Sequence, residues 1–242
     1  MKIKELVKRL ILREKSSSER YIDYLRASGM RIGDGTVIYS PNRCLIDTTR
    51  PWMIEIGSNV QITEGVTLLT HGYDWSVIKG KYGDILGSAG QIKIGDNVFI
   101  GVNSTILKGV TIGNNVIIGA NSLINKDVPS DCVVAGNPQR IISSLEDYYR
   151  KRQKAQFREA SELLKAYIAN TGFDINSGYP PKEIFHEFFW LFESRGEDGF
   201  SCPTFEEKMH LLGTYDLSVA RYQEVQRPFK SYETFVDEVL KH

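Results

Sequence analysis

Four histidines, His71, His186, His210 and His242, are the side chains of this sequence that change charge near neutral pH. An imidazole has a reference pKa of about 6.5, so it can take a proton from a hydroxyl and return it. A lone histidine is more often structural than catalytic. His71 differs from the other three in its place. It follows Thr70 and opens a break, residues 72–91, in an otherwise regular stretch. Function gathers where a loop leaves a rigid scaffold. The same loop carries Asp74 and Asp84, either of which could orient an imidazole, and Tyr73, Trp75, Lys79, Lys81 and Tyr82. The three cysteines, Cys44, Cys132 and Cys202, are widely spaced without metal-ligand spacing. They read as reduced thiols of a cytoplasmic protein. With one histidine in the regular region, a zinc site built from several converging histidines is not expected, and no metal is required.

The scaffold is written in a six-residue beat. Isoleucine or leucine recurs at Ile32, Ile38, Ile56, Ile62, Leu68, Ile94, Ile100, Ile106, Ile112, Ile118 and Ile124. Three residues later stands Gly35, Asn59, Gly65, Asn97, Asn103, Gly109, Asn115, Asn121 or Asp127, types that tolerate a left-handed corner. Four residues later comes a small side chain: Val60, Val66, Val98, Ser104, Val110, Val116, Ser122 or Val128. One short strand and one corner, repeated, make a parallel β-helix. An α-helix needs apolar residues three and four apart and would not survive these glycines. A sandwich or barrel would show hairpin signals at uneven spacing. The stretch from Tyr39 to Glu55, with Pro41 and Pro51, reads as an early coil that carries less of the motif.

Around this solenoid (residues 31–138, with the inserted loop 72–91) two helical segments are expected. Residues 1–30 show helical apolar spacing at Ile3, Leu6, Val7, Leu10 and Ile11. A second short helix begins near Ser18 and stops at Gly29. Lys8, Arg9 and Arg13 interrupt the first, so neither a signal peptide nor a membrane span is expected. Residues 139–242 lose the beat. Ser143 with Glu146 suggests a capping box. It would open a helix with Tyr149, Ala160, Leu163, Leu164, Tyr167 and Ile168 on its apolar face, ended by Gly172. Pro180 and Pro181 introduce an aromatic second helix with Phe185, Phe188, Phe189, Trp190 and Phe192. Thr204 with Glu207 suggests a third helix, and Ser231 a last one. These aromatics are expected to bury on the solenoid flank or a neighbouring subunit. Lys+Arg and Asp+Glu balance at 30 each, which argues against nucleic acid or an anionic membrane as partner. The run Arg150-Lys151-Arg152 with Lys154 stands beside Glu146, Asp147 and Glu159 and reads as a solvated face.

Three stretches carry a resemblance: "LLTHGYDW" (68–75), "IKIGDNVFIGVNSTILKGVTIGNNVIIGANSLINKDVP" (92–129) and "VVAGNPQRII" (133–142). They resemble the left-handed β-helix hexapeptide acyltransferases, in particular the galactoside, maltose and polysaccharide O-acetyltransferases. The resemblance covers residues 31–142. It implies a homotrimer with active sites between subunits, and acetyl-CoA as cosubstrate. His71 would be the general base on a sugar hydroxyl, and the backbone N–H of Val102 the oxyanion donor. The cofactor would meet Phe99 (a Trp in some members), Gly101, Val102, Ala120, Asn125 (a Thr in some), Lys126 and Arg140. Asn42, Tyr73 and Trp75 are expected at the acceptor. Members of the family usually read His-Pro here and supply a loop glutamate to the imidazole. This chain reads His71-Gly72-Tyr73-Asp74, so Asp74 is expected in that role. Two other functions share this reading of the fold: N-acetyl transfer to an amino sugar or a nucleotide-linked one, and a non-catalytic trimeric scaffold.

Overall fold

The computed structural model describes residues 11–197 and 199–241. The expectations for Ile3, Leu6, Val7 and Leu10 lie outside the described residues, as does His242. The chain divides after Tyr148 into two compact units.

The first unit is a left-handed parallel β-helix with three walls. The first wall stacks β1 (Arg31–Ile32), β4 (Ile54–Ile56), β7 (Ile92–Ile94) and β10 (Thr111–Ile112). The second stacks β2 (Val37–Ile38), β5 (Gln61–Ile62), β8 (Val98–Ile100), β11 (Val116–Ile118) and β13 (Cys132–Ala135), with β14 (Arg140–Ser144) antiparallel at its edge. The third stacks β3 (Leu45–Ile46), β6 (Thr67–Leu68), β9 (Thr105–Ile106) and β12 (Leu123–Ile124). Ile32, Ile56, Ile94 and Ile112 share one register, so each beat isoleucine lies on its counterpart in the next coil. All the beat residues and the valines four places later are buried in one continuous core, and Ser104 and Ser122 at the equivalent positions are buried as well. That column of branched side chains removes the interior from water and supplies the main stabilisation.

The corners follow the predicted chemistry in every coil but the last. Asn59, Asn97, Asn103, Asn115 and Asn121 hold φ between 54° and 58°, and Gly35, Gly65 and Gly109 hold φ of 71–80°. Asn97 Nδ2 donates to Asn115 Oδ1 at 2.9 Å, and Asn115 Nδ2 to Asp131 Oδ1 at 2.9 Å, so side chains as well as strands run from coil to coil. Asp127 is not a left-handed corner; Asp131 takes that conformation. Asp127 Oδ1 instead accepts from Thr111 N, tying down the last turn. Coils pack so closely before the corners that glycine is needed. A Cβ on Gly57 would lie 2.6 Å from the Gly95 carbonyl oxygen and 2.4 Å from Asp96 Oδ1. Gly57→Ala should therefore lower stability by about 1–3 kcal/mol, the usual cost of overpacking. An unmoved denaturation midpoint would contradict this close stacking.

A prism of this kind needs a lid at its first coil, where core and strand edges would meet water. Helix α1 (Ser18–Ala27) provides it by burying Tyr21, Ile22 and Leu25 in the same core. Its cap is Ser17, whose side chain accepts from Arg20 N, one residue before the expected Ser18. Ser18 Oγ instead accepts from Ile38 N. The break at residues 72–91 contains a helix, α2 (Trp75–Tyr82), that buries none of its residues.

The second unit has its own core. Phe185, Phe189, Phe192, Phe200, Phe205, Tyr222, Tyr232 and Phe235 are buried together with Ala160, Leu164 and Val239. The aromatics expected on a solenoid flank or a second subunit thus pack on one another, many edge-to-face. Helix α3 (Leu145–Thr171) ends before Gly172 at φ +68°, as expected. Its cap is Ser144 with Asp147, one residue along from the predicted pair. Tyr149 is half-exposed, off the apolar face, and receives a hydrogen bond from Gln153. After Pro181 the structure has two short 3-10 turns, Lys182–Phe185 and Phe189–Leu191, in place of the predicted second helix. Helices α4 (Pro203–Met209), α5 (Tyr215–Glu224) and α6 (Tyr232–Leu240) complete the unit. Ser231 caps α6 by accepting from Thr234 N.

Candidate active site

His71 stands three residues past β6, where the third wall turns toward the first. One coil below, Asp47 follows β3 at the same corner, because β3 and β6 pair in register. Asp47 Oδ2 lies 2.7 Å from His71 Nδ1. Thr70 donates its hydroxyl and its N–H to the same oxygen. Thr49 gives Oδ1 a hydroxyl at 2.6 Å and an N–H at 3.0 Å. Burial pushes the Asp47 carboxyl up. The hydrogen bonds from Thr49, Thr70 and His71 outweigh that and hold it well below the usual carboxylate range. An ionised, acceptor-only oxygen at Nδ1 requires the imidazole to carry its proton there. Nε2 is left as the acceptor, and it has no hydrogen-bond partner among the described residues. The His71 side chain is 28% exposed and that of Asp47 only 4%, so the carboxylate is shielded while the ring keeps access.

This corrects the expectation for the orienting acid. Asp47, not Asp74, holds the imidazole. Asp74 is exposed just before α2, with Oδ1 close to Gly72, and neither it nor Asp84 bonds to the ring. The loop itself leaves and returns as a closed neck. Gly72 N donates to Ser88 O and Gly90 N to Thr70 O, and His71 bridges Ala89. Beyond the neck, Tyr73 and Trp75 touch with ring centroids 5.0 Å apart, Tyr73 being exposed.

The expected cofactor residues fall into two groups. Gly101, Val102 and Ala120 line the corner between the second and third walls, and Phe99 stands in β8 on the second wall just before it. Gly101 N donates to Ile118 O, and a Cβ there would sit 2.5 Å from Ala120 N, so its glycine is required by stacking. The N–H groups of this corner are distinctive. At the corner between the first and second walls three successive N–H groups are capped from the next coil: Ser58 N by Asp96, Asp96 N by Asn114, Asn114 N by Ser130. Val102 and Ala120 are stacked in the same way, but neither side chain can accept a hydrogen bond. Among the described residues the N–H groups of Val102 and Ala120 have no acceptor, and both residues are exposed. Two unpaired backbone donors on a rigid edge suit a developing negative charge. Asn125 and Lys126 belong to the other group. They follow β12 at the His71 corner, joined to the β13–β14 turn through the Gln139 amide. Arg140 begins β14 at the same end of the prism, and neither Lys126 nor Arg140 is in an ion pair among the described residues.

The third wall separates the two groups. In the coil of His71, the residue stacked under Val102 is Glu64, seven residues earlier. About five extended residues, roughly 17 Å, lie between the imidazole corner and the amide corner of one chain. They cannot act on one bond in a single copy. Asn42 lies with the amide group, in a 3-10 turn before β3, and is exposed. Among the described residues no group of His, Cys, Asp and Glu is arranged to hold a metal ion. Nor is any helix among them long and apolar enough to cross a membrane. All three cysteines are buried and free.

Comparison with known proteins follows this geometry. The family of bacterial transferase hexapeptide repeats matches residues 91–126. Protein CapG of Staphylococcus aureus is 46% identical over 129 residues, 53% of this chain and 74% of CapG. Galactoside O-acetyltransferase of Escherichia coli is 39% identical over 109 residues, 43% of this chain and 53% of that protein. A solved hexapeptide-repeat acetyltransferase of Vibrio cholerae, in complex with acetyl-coenzyme A, is 28% identical over 58% of this chain and 82% of its own, with a TM-score of 0.44. The chain belongs to the bacterial transferase hexapeptide family, whose members similar to it include acetyltransferases.

Proposed function

We propose that the protein is an acetyl-CoA-dependent O-acetyltransferase that acts as a homotrimer on a hydroxyl of a sugar or polysaccharide precursor. The observation that carries this reading is the pairing of a carboxylate-fixed imidazole at one corner with unpaired amides at another. Threefold assembly would set the His71 corner of one copy against the Val102 corner of the next. His71 Nε2 takes the proton of the acceptor hydroxyl as its oxygen bonds to the acetyl carbonyl carbon. Asp47 stabilises the imidazolium so formed. The Val102 N–H donates to the carbonyl oxygen as its charge grows, a contribution of about 10²–10³-fold for one such donor. As the carbon–sulfur bond breaks, the proton passes from Nε2 to the leaving sulfur. Phe99 and Ala120 would line the pantetheine path, and Lys126, Asn125 and Arg140 would meet its phosphates. Asn42, Tyr73 and Trp75 face the acceptor.

A hydroxyl needs a base more than an amine does, and the Asp47–His71 pair favours O- over N-transfer for that reason. A scaffold would have no use for an ionised carboxylate fixed on a partly open ring. The test is release of free CoA from acetyl-CoA in the presence of methyl hexosides, followed by mixed assembly. His71→Ala and Val102→Pro proteins are each expected to be inactive. Refolded together in equal amounts, they should recover about a quarter of the sites, because each site takes one corner from each of two copies. No recovery in a mixed trimer would overturn the shared site. No CoA release with any hexoside would overturn the sugar reading.

A further inference from the structure

The first coil departs from the repeat at the amide corner. Residues 39–44 join its second and third walls, where 63–66 and 101–104 suffice in the next two coils. The extra length forms the 3-10 turn Pro41–Arg43, entered through Ser40 in a left-handed conformation, φ +52°. This bulge presents Arg43 to Glu64. Arg43 Nη1 pairs with Glu64 Oε1, and Ser40 Oγ donates to Glu64 Oε2 at 3.3 Å. Both side chains remain open, Arg43 at 66% and Glu64 at 40% exposure. The bulge itself is anchored by burial of Pro41 and Cys44, whereas the exposed ion pair above them adds little to stability.

The position gives the pair a use. Glu64 is one coil below Val102 in the same column, since Asn103 N donates to Glu64 O. Ala120 and the basic end of the prism lie on the other side of Val102. On the proposed function, the acetyl donor occupies that upper side, so the acceptor must extend downward over Glu64 and Arg43. We propose that the Arg43–Glu64 pair reads two adjacent hydroxyls of a neutral sugar. The Glu64 carboxylate accepts from one hydroxyl, and the Arg43 guanidinium donates to the other. A vicinal diol offers a separate oxygen to each side chain, one donating and one accepting, whereas a lone hydroxyl such as that of serine must serve both from a single oxygen. The pair is thus a specificity determinant and takes no part in the proton transfer.

The inference rests on the sugar O-acetyltransferase reading, and its test separates the two. Steady-state transfer would be measured with the methyl glycosides of galactose, glucose, mannose and N-acetylglucosamine, and with monodeoxy analogues of the best of them. Glu64→Gln and Arg43→Gln should each raise the acceptor KM about tenfold or more, as for loss of a hydrogen bond to a charged group. The KM for acetyl-CoA and kcat at saturating sugar should stay within about threefold. On the deoxy analogue lacking the hydroxyl that Glu64 reads, wild type and Glu64→Gln should have equal KM, which a merely structural role would not produce. Glu64→Asp should recover part of the loss. An active wild type with acceptor KM unmoved in both variants would overturn the role of the pair alone. A rise confined to the acetyl-CoA KM would do the same. A wild type that acetylates none of these sugars would overturn the pair's role together with the reading beneath it.

Discussion

His71→Ala is expected to slow acetyl transfer by about 10²–10⁴-fold, the range for loss of a positioned general base. The chain should stay folded and assembled. The reason lies in how Asp47 is satisfied. Removing the imidazole takes one hydrogen bond from the carboxylate but leaves the two from Thr49 and the two from Thr70. No buried charge is stranded, so the cost in stability should be small. The KM for acetyl-CoA should hold, because the amides and the basic end belong to other residues. The measurement is kcat and both KM values, beside a melting curve and a sedimentation profile. Undiminished kcat in a folded variant would remove His71 from the chemistry.

The solenoid was legible in the sequence because each coil repeats the same steric demand. A large inward residue, a left-handed corner and a small inward residue cannot be exchanged for other types without opening the core or straining the backbone. Asp47 was not legible. It sits in the first coil, where Pro41 and Pro51 interrupt the beat. It is separated from His71 by 24 residues, a distance that becomes one coil only once β3 is placed under β6. One available signal was that Asp47 directly follows Ile46, which aligns with Leu68. Proximity in sequence favoured Asp74 instead, and proximity in sequence is a poor guide where the rigid wall, not the loop, carries the partner.

The division of the cofactor residues was hidden for a related reason. A resemblance transfers residues as a set, and the set does not say that Val102 and Asn125 occupy different corners. The helical tail shows another limit. Capping residues marked Ser231 correctly and the start of α3 to within one residue, because a cap is a local hydrogen bond. The aromatic run after Pro181 has the spacing of a helix, but its side chains close a core that two short turns fill better. That outcome depends on Phe205, Tyr222 and Phe235, residues distant in the chain.

Asp47→Asn tests the fixed tautomer directly. The carboxylate accepts at both oxygens and donates at neither. An amide of the same shape must turn its NH₂ toward one side. Turned to His71, it donates to Nδ1, moves the ring proton to Nε2 and removes the base. Turned to Thr49, it places a buried donor against an N–H. Either arrangement should cost about 1–3 kcal/mol of stability. The first should reduce kcat by about 10²–10⁴-fold, as expected for an imidazole held in the wrong tautomer. The pH dependence of the stability loss has a definite sign. The folded-state carboxyl lies below its unfolded value of about 3.9, so its contribution is complete above that value and is lost as pH falls through the lower folded one. The gap between wild type and Asp47→Asn should then be level from about pH 5 to 8, begin to narrow near pH 4, where Asp47 of the unfolded chain takes up its proton, and close only as pH falls through the lower folded value. Chemical denaturation across that range measures it. A gap unchanged at pH 2 would mean that the fold does not hold the carboxyl below its ordinary range, and an Asn variant with full kcat would mean that the carboxylate does not govern the ring.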